Sequence, residues 1–282
     1  MGRLSVKVVV TGASGKAGRA VVRDLVEHGH DVLAIDVTAP PESRAPSLRA
    51  DVTDFGQTVE CLAVADAVVH LAAIPASGIY TEETTFRTNM LSTFNVFEAA
   101  RVGGLRRVVW ASSETILGLP FDNELPPYAP LDEDQPPLPQ SAYALSKLLS
   151  EEAARQLHRR TGTPHVALRF SNIMEPHDYE RFPSFWDDPQ LRRWNFWGYV
   201  DVRDVALSCR LALEADLGAE HLVIAAADTV MNRPSAELMA EVYPSVEHRP
   251  TGGEFDTLLS IEKARRLLGY EPQWSWRHHV DA

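Results

Sequence analysis

Lysine is nearly missing from this 282-residue chain: of its 27 basic residues only Lys7, Lys16, Lys147 and Lys263 are lysines. Against 39 acidic residues the formal charge is -12, and no basic face is evident. Neutralising a phosphate backbone needs such a face, so nucleic acid is not an expected partner. Cysteine is equally scarce. Cys61 and Cys209 form no disulfide framework and are read as two reduced core thiols. No apolar run reaches membrane-spanning length, so no membrane partner is expected. The opening residues, MGRLSVKVVVTG, enter a strand-like run with no cleavable signal pattern, which gives a cytoplasmic expectation. No HExxH or HxxxH spacing occurs, so no metal is expected. His70, His165 and His177 need only a bland reading, His70 as a residue packed at a strand end.

What is present is ordinary globular usage, 45% hydrophobic and 23% charged, which fits neither disorder nor a coiled coil. The β-branched run at 6–10 ends at Thr11 and Gly12, helical spacing follows over 17–28, and a second strand ends at Asp36: a βαβ unit. The alternation continues with strands near 47–50, 67–71, 107–111 and 165–169 and helices near 55–64, 82–102 and 143–161. Short apolar strands between helices predict an α/β fold with a doubly wound parallel sheet of Rossmann type, buried on both faces. Residues 1–170 are assigned to this dinucleotide-binding domain, and 171–282 mainly to a small substrate lobe, with some later segments returning to the sheet. That lobe holds helices near 202–214, 234–242 and 260–269 and a strand near 221–225. Residues 120–139 read as a surface excursion. The aromatic stretch 175–200 reads as a functional loop, in which Trp186, Trp194 and Trp197 pack the lobe junction or stack on a sugar.

Three local signals carry chemistry. In TGASGKAG, Gly12, Gly15 and Gly18 stand between strand and helix, where glycine permits a tight turn and close approach of backbone to a pyrophosphate. Ser14, Lys16 and Ala17 lie in the same turn. A P-loop or a nucleophile elbow would need residues this turn lacks. Asp36, at the end of the second strand, can accept hydrogen bonds from ribose hydroxyls and would repel a 2′-phosphate, so NAD is favoured over NADP, with Arg44 as the residue that could bend the preference. Asp51 and Val52 follow the third strand, where an adenine could be recognised. Tyr143 and Lys147, four apart in SAYALSK, share a helix face, and the ammonium is expected to lower the phenol's pKa. With seven tyrosines among 282 residues and four lysines, such a pair is expected by chance about 0.1 times, so it weighs only beside the other signals. Ser112 and Ser113 follow a strand at the sheet edge where ligands bind.

Together these segments resemble the extended branch of the short-chain dehydrogenase/reductase superfamily, the NAD-dependent epimerase/dehydratase family. The resemblance extends over DVTD at 51–54, HLAA at 70–73, ASSETILG at 111–118, YALSK at 143–147, LRFSN at 168–172 and YVDVRDVA at 199–206. It implies that Tyr143 is the acid/base, that Lys147 holds the nicotinamide ribose and tunes Tyr143, and that Ser113 orients the reacting oxygen. It also implies that Leu71, Ala72, Ala73 and Phe170 line the cofactor, that Asn89 supports the active-site backbone or a water relay, and that the chain is a homodimer through the helices near 82–102 and 143–161.

Departures narrow the reaction. Sugar 4,6-dehydratases carry an acidic pair after the serine or threonine; here Glu114 is followed by Thr115, so dehydration is not expected. The run MEPHDYERF resembles the uronate dehydrogenase segment whose arginine clamps a carboxylate, which nominates Arg181, although Glu180 intervenes. Glu114, Thr115, Asn172 and Arg181 are therefore the substrate candidates beside Ser113. The expected activity is NAD-dependent oxidation of a secondary hydroxyl of a sugar or sugar acid; the alternatives are a nucleotide-sugar epimerase with retained NAD and a catalytically silent cofactor sensor.

Overall fold

The structure is a computed structural model that describes residues 6–39 and 43–279. Residues 1–5, on which part of the leader expectation rests, lie outside the described residues.

The chain alternates as β1 (Lys7–Thr11), α1 (Lys16–Glu27), β2 (Asp31–Asp36), β3 (Ser47–Arg49), α2 (Phe55–Leu62), β4 (Ala67–His70), α3 (Glu82–Gly103) and β5 (Arg107–Ser113). It continues through β6 (Tyr128–Ala129), α4 (Ala142–Thr161), β7 (His165–Phe170), β8 (Ile173–Met174), β9 (Val200–Asp201), α5 (Val202–Glu214) and β10 (Ala219–Ile224). α6 (Ser235–Val242), β11 (Glu247–His248) and α7 (Glu262–Leu268) follow. Seven strands form one sheet in the order β10-β7-β5-β4-β1-β2-β3, with every neighbouring pair parallel. This is the doubly wound layer that the strand pattern predicts. The winding reverses between β1 and β4, and the crevice at the carboxyl ends of those strands is where such sheets hold ligands.

Burial on both faces explains the apolar strands. One face packs Val10, Val109 and Leu168 against Val21 and Leu25 of α1 and Val205 and Cys209 of α5. The other packs Val9, Val68 and Trp110 against Phe97 and Ala100 of α3 and Leu157 of α4. Cys61 and Cys209 are both free and buried. Side-chain caps then fix where helices begin: Asp54, Thr81 and Ser141 accept the N–H groups of Gln57, Thr84 and Ala144. Such a cap contributes about 1 kcal/mol, and the one at Ser141 sets the register of Tyr143 and Lys147 along α4. Among the described residues no helix is long and apolar enough to cross a membrane.

Two stretches differ from expectation. Residues 120–139 are no surface excursion throughout. Ala129 and Leu131 are fully buried, β6 pairs with β11, and Leu131 bridges to Leu259, because the apolar residues between the prolines face the second lobe. The stretch 175–200 is not irregular either: it forms 3-10 helices at Pro176–Phe185 and Pro189–Asn195, each opened by a proline, which presets φ and gives up no needed donor there.

Candidate active site

The turn after β1 is shaped by contact, not only by flexibility. Gly12 has φ +68°, and a Cβ there would lie 2.6 Å from the Ala72 nitrogen in the turn after β4. A Cβ on Gly18 would lie 2.6 Å from Ala13 Cα. α1 is thereby pressed against the turn, and its amino end carries no side-chain cap at Gly15. The uncapped N–H groups of Lys16, Ala17 and Gly18 form a cradle with the chemistry a pyrophosphate needs. Asp36 reaches the same turn: its carboxylate accepts the Ser14 N–H at 2.9 Å and the Thr38 N–H at 3.2 Å. Arg44 is directed elsewhere, pairing with Glu27 at 2.7 Å.

Thr11 organises the floor of the crevice. Its hydroxyl accepts the N–H groups of Leu71 and Ala72, both at 3.1 Å, and so donates to His70 Nδ1 at 2.7 Å. His70 Nε2 then faces Thr93 Oγ1 at 3.3 Å. Burial, and next the charge of Lys147, hold the imidazole down at about 3, so it is neutral at physiological pH. His70 does pack at a strand end, but it also fixes the 71–73 turn. Asn89 continues that turn, clamping the Ile74 backbone by accepting its N–H at 2.8 Å and donating to its carbonyl at 3.0 Å. Farther along the edge, Asp51 Oδ1 accepts from the Thr53 hydroxyl and N–H, and the carbonyl of buried Val52 accepts from Thr58 and Asn95.

β5 runs two residues beyond the expected end and pairs Ser113 with Phe170 of β7. The two serines then diverge. Ser112 donates to Glu151 at 2.6 Å, and Glu151 is held by both Nε and Nη2 of Arg169, a buried pair that braces α4. Ser113 faces the phenol of Tyr143. Its Oγ accepts the Thr115 N–H at 3.2 Å and hydroxyl at 2.9 Å, leaving its own proton to donate. Thr115 thus acts on Ser113. Lys147, only 3% exposed, donates to the Ala111 carbonyl at 2.8 Å and lies 5.7 Å from the Tyr143 ring centre. Burial alone pulls its ammonium down to about 8. Burial likewise pushes Tyr143 up to about 12, with the Ser113 hydrogen bond opposing and Glu114 adding to the rise. The expectation of a phenol made acidic by Lys147 is therefore corrected: in the protein alone burial raises it.

Beside the phenol lies a buried polar cluster that the sequence only half discloses. Glu114 is 3% exposed; burial raises its carboxyl to about 7, opposed by Ser171, Asn195 and Arg192. Asn195 donates to Glu114 Oε1 at 3.4 Å and to the Gly198 carbonyl at 2.8 Å. Asn172 Oδ1 accepts from both terminal nitrogens of Arg192 at 3.3 Å. Arg181, nominated from its spacing after Tyr179, is exposed. The buried guanidinium is Arg192, whose charge burial holds down to about 10, still protonated at neutral pH. Two consecutive residues with positive φ, Phe196 and Trp197, turn the chain so that Asn195 and Gly198 face Arg192. The signal available in the sequence was the dense RRWN run at 192–195, the one place in the aromatic stretch where arginines adjoin an amide. Of the tryptophans there, Trp197 is fully buried and Trp186 packs on Trp276, while Trp194 is 37% exposed and carries the Arg192 guanidinium 4.9 Å from its ring centre.

The amino end of α1 is tied to the second lobe, since Lys16 pairs with Asp178 at 2.6 Å and Arg19 with Glu175 at 2.8 Å. His177 joins those carboxylates in a cluster of metal-ligand type, but both carboxylates are already balanced by α1.

Residues 8–225 match the model of the NAD dependent epimerase/dehydratase family. The chain belongs to that family. A UDP-glucose 4-epimerase of Corynebacterium glutamicum is 26% identical over 307 aligned positions, covering 95% of this chain and 91% of that protein. An L-arabinose 1-dehydrogenase (NAD(P)(+)) of Haloferax volcanii is 25% identical, covering 95% and 96%. A uronate dehydrogenase of Pseudomonas syringae pv. tomato is 26% identical over 64% of each chain. In fold, a short-chain dehydrogenase/reductase superfamily protein from Agrobacterium tumefaciens, solved with bound NAD, matches with a TM-score of 0.74 at 24% identity, covering 96% of this chain and 93% of that one.

Proposed function

We propose that the protein is an NAD-dependent oxidoreductase that oxidises a hydroxyl of a sugar or sugar acid. The observation that carries this reading is the convergence of Ser113, Tyr143 and Lys147 at the carboxyl end of β5, with Ser113 facing the phenol and Lys147 fixed to the Ala111 carbonyl. The uncapped end of α1, the close-packed glycines and the 71–73 turn fit a dinucleotide. Asp36 at that turn, with Arg44 paired away from it, favours NAD over NADP. When bound, the oxidised nicotinamide supplies the hydride acceptor and a formal positive charge.

The chain supplies the rest. Ser113 Oγ, oriented by Thr115, donates to the reacting oxygen. Tyr143 takes the hydroxyl proton on its phenol oxygen. Lys147, protonated below about pH 8, stabilises the phenolate and offers its remaining protons to a ribose hydroxyl. Asn172 and Glu114 border the substrate. Because burial, with Glu114 adding to it, leaves the phenol near 12, proton removal depends on added positive charge and is favoured by rising pH.

The test is Tyr143→Phe, screened with NAD+ against free sugars, sugar acids and nucleotide sugars. Turnover of every oxidised substrate should fall by about 10²- to 10⁴-fold. Undiminished turnover removes Tyr143 from this role. The similarity of 95% of the chain to a UDP-glucose 4-epimerase favours a second reading, epimerisation with retained NAD. Release of stoichiometric NAD on denaturation, with no net NADH formed, selects it.

A further inference from the structure

We propose that Glu114, set against Arg192 and Asn195, is a specificity-determining residue that accepts a hydrogen bond from a substrate hydroxyl and so selects an uncharged sugar over the corresponding sugar acid. The inference rests on the oxidoreductase reading and goes beyond it by choosing between its two substrate classes.

Among the described residues, four polar atoms of one buried cluster make no hydrogen bond of good geometry, Glu114 Oε2, Ser171 Oγ, Arg192 Nε and Asn195 Oδ1, although the Ser171 hydroxyl lies close enough to favour the Glu114 carboxylate. Buried polar groups are paired almost everywhere in folded proteins, so a local concentration of unpaired ones marks a place built for a ligand's polar groups. The set is two-sided. Glu114 and Asn195 offer acceptors, Arg192 offers a donor, and the Ser171 hydroxyl can do either, which suits hydroxyl groups that both give and take protons. The cluster also adjoins the reacting group, since the charge of Glu114 is felt at the Tyr143 phenol.

A carboxylate ligand is poorly served here. Bidentate recognition needs a guanidinium fork with two free donors. Arg192 instead directs both terminal nitrogens at Asn172 Oδ1 and one of them also at the Gly198 carbonyl, at 3.1 Å. Nε–H and one Nη1 proton remain, on different edges of the guanidinium, and Arg192 and Glu114 each feel the other's charge. With Glu114 raised to about 7, a second carboxylate beside it would meet like charge or force Glu114 into its protonated form, a cost to binding either way. Arg181, whose charge is felt at Arg192, is exposed, where solvent screens it.

The experiment compares kcat/KM with NAD+ for D-galactose against D-galacturonate and D-glucose against D-glucuronate, in the wild type and in Glu114→Gln. The substitution keeps the shape and removes the charge. Thermal unfolding and NAD binding verify that the variant is folded; Glu114→Ala, which also removes the charge, serves in its place if it is not. The wild type should prefer the neutral sugar of the better pair by about tenfold or more. In Glu114→Gln, kcat/KM for that sugar should fall about tenfold, chiefly through KM, and the neutral-to-acid ratio should shrink by about tenfold. A wild type that prefers the uronate, or a ratio that the variant leaves unmoved, overturns the inference while the oxidoreductase reading stands. If no sugar is oxidised, that reading fails on its own. The inference is then decided by Trp194 fluorescence on titration with the same sugars: binding of the neutral sugar weakened about tenfold by Glu114→Gln supports it, and equal or tighter binding of the uronate overturns it.

Discussion

Replacing Thr11 separates two ways of accounting for stability. Thr11→Val keeps the side chain's shape and removes the hydroxyl, whereas Thr11→Ser keeps the hydroxyl and removes a methyl group. Among the described residues the hydroxyl is the one hydrogen-bond partner of the Ala72 N–H and of His70 Nδ1, while the Leu71 N–H has the Thr11 carbonyl as a second acceptor at 3.2 Å. Thr11 is fully buried, so water cannot replace the lost oxygen without rearrangement. Two orphaned polar groups at about 1–3 kcal/mol each give a loss of about 2–6 kcal/mol for the valine variant. Losing one buried methyl gives about 1 kcal/mol for the serine variant. At roughly 3 °C per kcal/mol for a chain of this size, Thr11→Val should melt about 6–18 °C lower and Thr11→Ser about 3 °C lower. Differential scanning calorimetry of the three proteins at one pH reads both shifts, and NAD affinity should fall with the valine variant because the 71–73 turn loses its anchor. A serine variant less stable than the valine variant would show that methyl packing, not the hydroxyl hub, holds this turn.

Other expectations follow from the same structure. Gly18→Ala places a Cβ against backbone at Ala13, which cannot swing aside as a side chain could, so NAD binding should be lost or reduced beyond about 100-fold, as measured by calorimetric titration. A binding constant within threefold of wild type sinks that account. His70 is held at about 3 in the fold against an ordinary 6.5, so the unfolded chain binds the extra proton between those values. Its contribution is complete above pH 6.5 and is lost as pH falls, by about 2 kcal/mol at pH 5, and His70→Asn should flatten the wild type's decline in unfolding free energy by about 1.4 kcal/mol per pH unit over that window. Equal slopes in urea titrations at pH 5 and 6.5 would refute it. Finally, Leu91 and Phe94 on α3 and Leu145 and Leu149 on α4 are each about two-fifths to one-half exposed. We propose that a second copy covers them. Sedimentation should show a dimer at micromolar concentration that Phe94→Glu converts to monomer, and a monomeric wild type contradicts it.

Much of the fold was legible because burial on both faces writes β4 as AVVH and the core of β1 as VVV, and because the glycine turn admits little else. The Ser113, Tyr143 and Lys147 set was readable for a related reason: one cap, at Ser141, and one strand end place all three. Arg192 was not. Its place in the polar cluster depends on the positive-φ residues Phe196 and Trp197, and neither aromatic residue advertises that conformation in a sequence. Arg181 lies instead on the exposed side of a 3-10 helix, near enough for its charge to be felt at Arg192, an arrangement that spacing after Tyr179 does not reveal. The acidity of Tyr143 was misjudged because spacing along a helix reports proximity to Lys147 but not the burial that opposes it.

The two ion pairs joining Lys16 and Arg19 to Asp178 and Glu175 bind the fates of distant stretches of sequence. Loss of either carboxylate would leave a cation of α1 uncompensated at the very end that greets phosphates. Loss of either cation would strand a carboxylate against a half-covered cleft. Among descendants of this chain, positions 16 and 178, and 19 and 175, should accordingly change in concert, each pair inherited as a unit across more than 150 intervening residues.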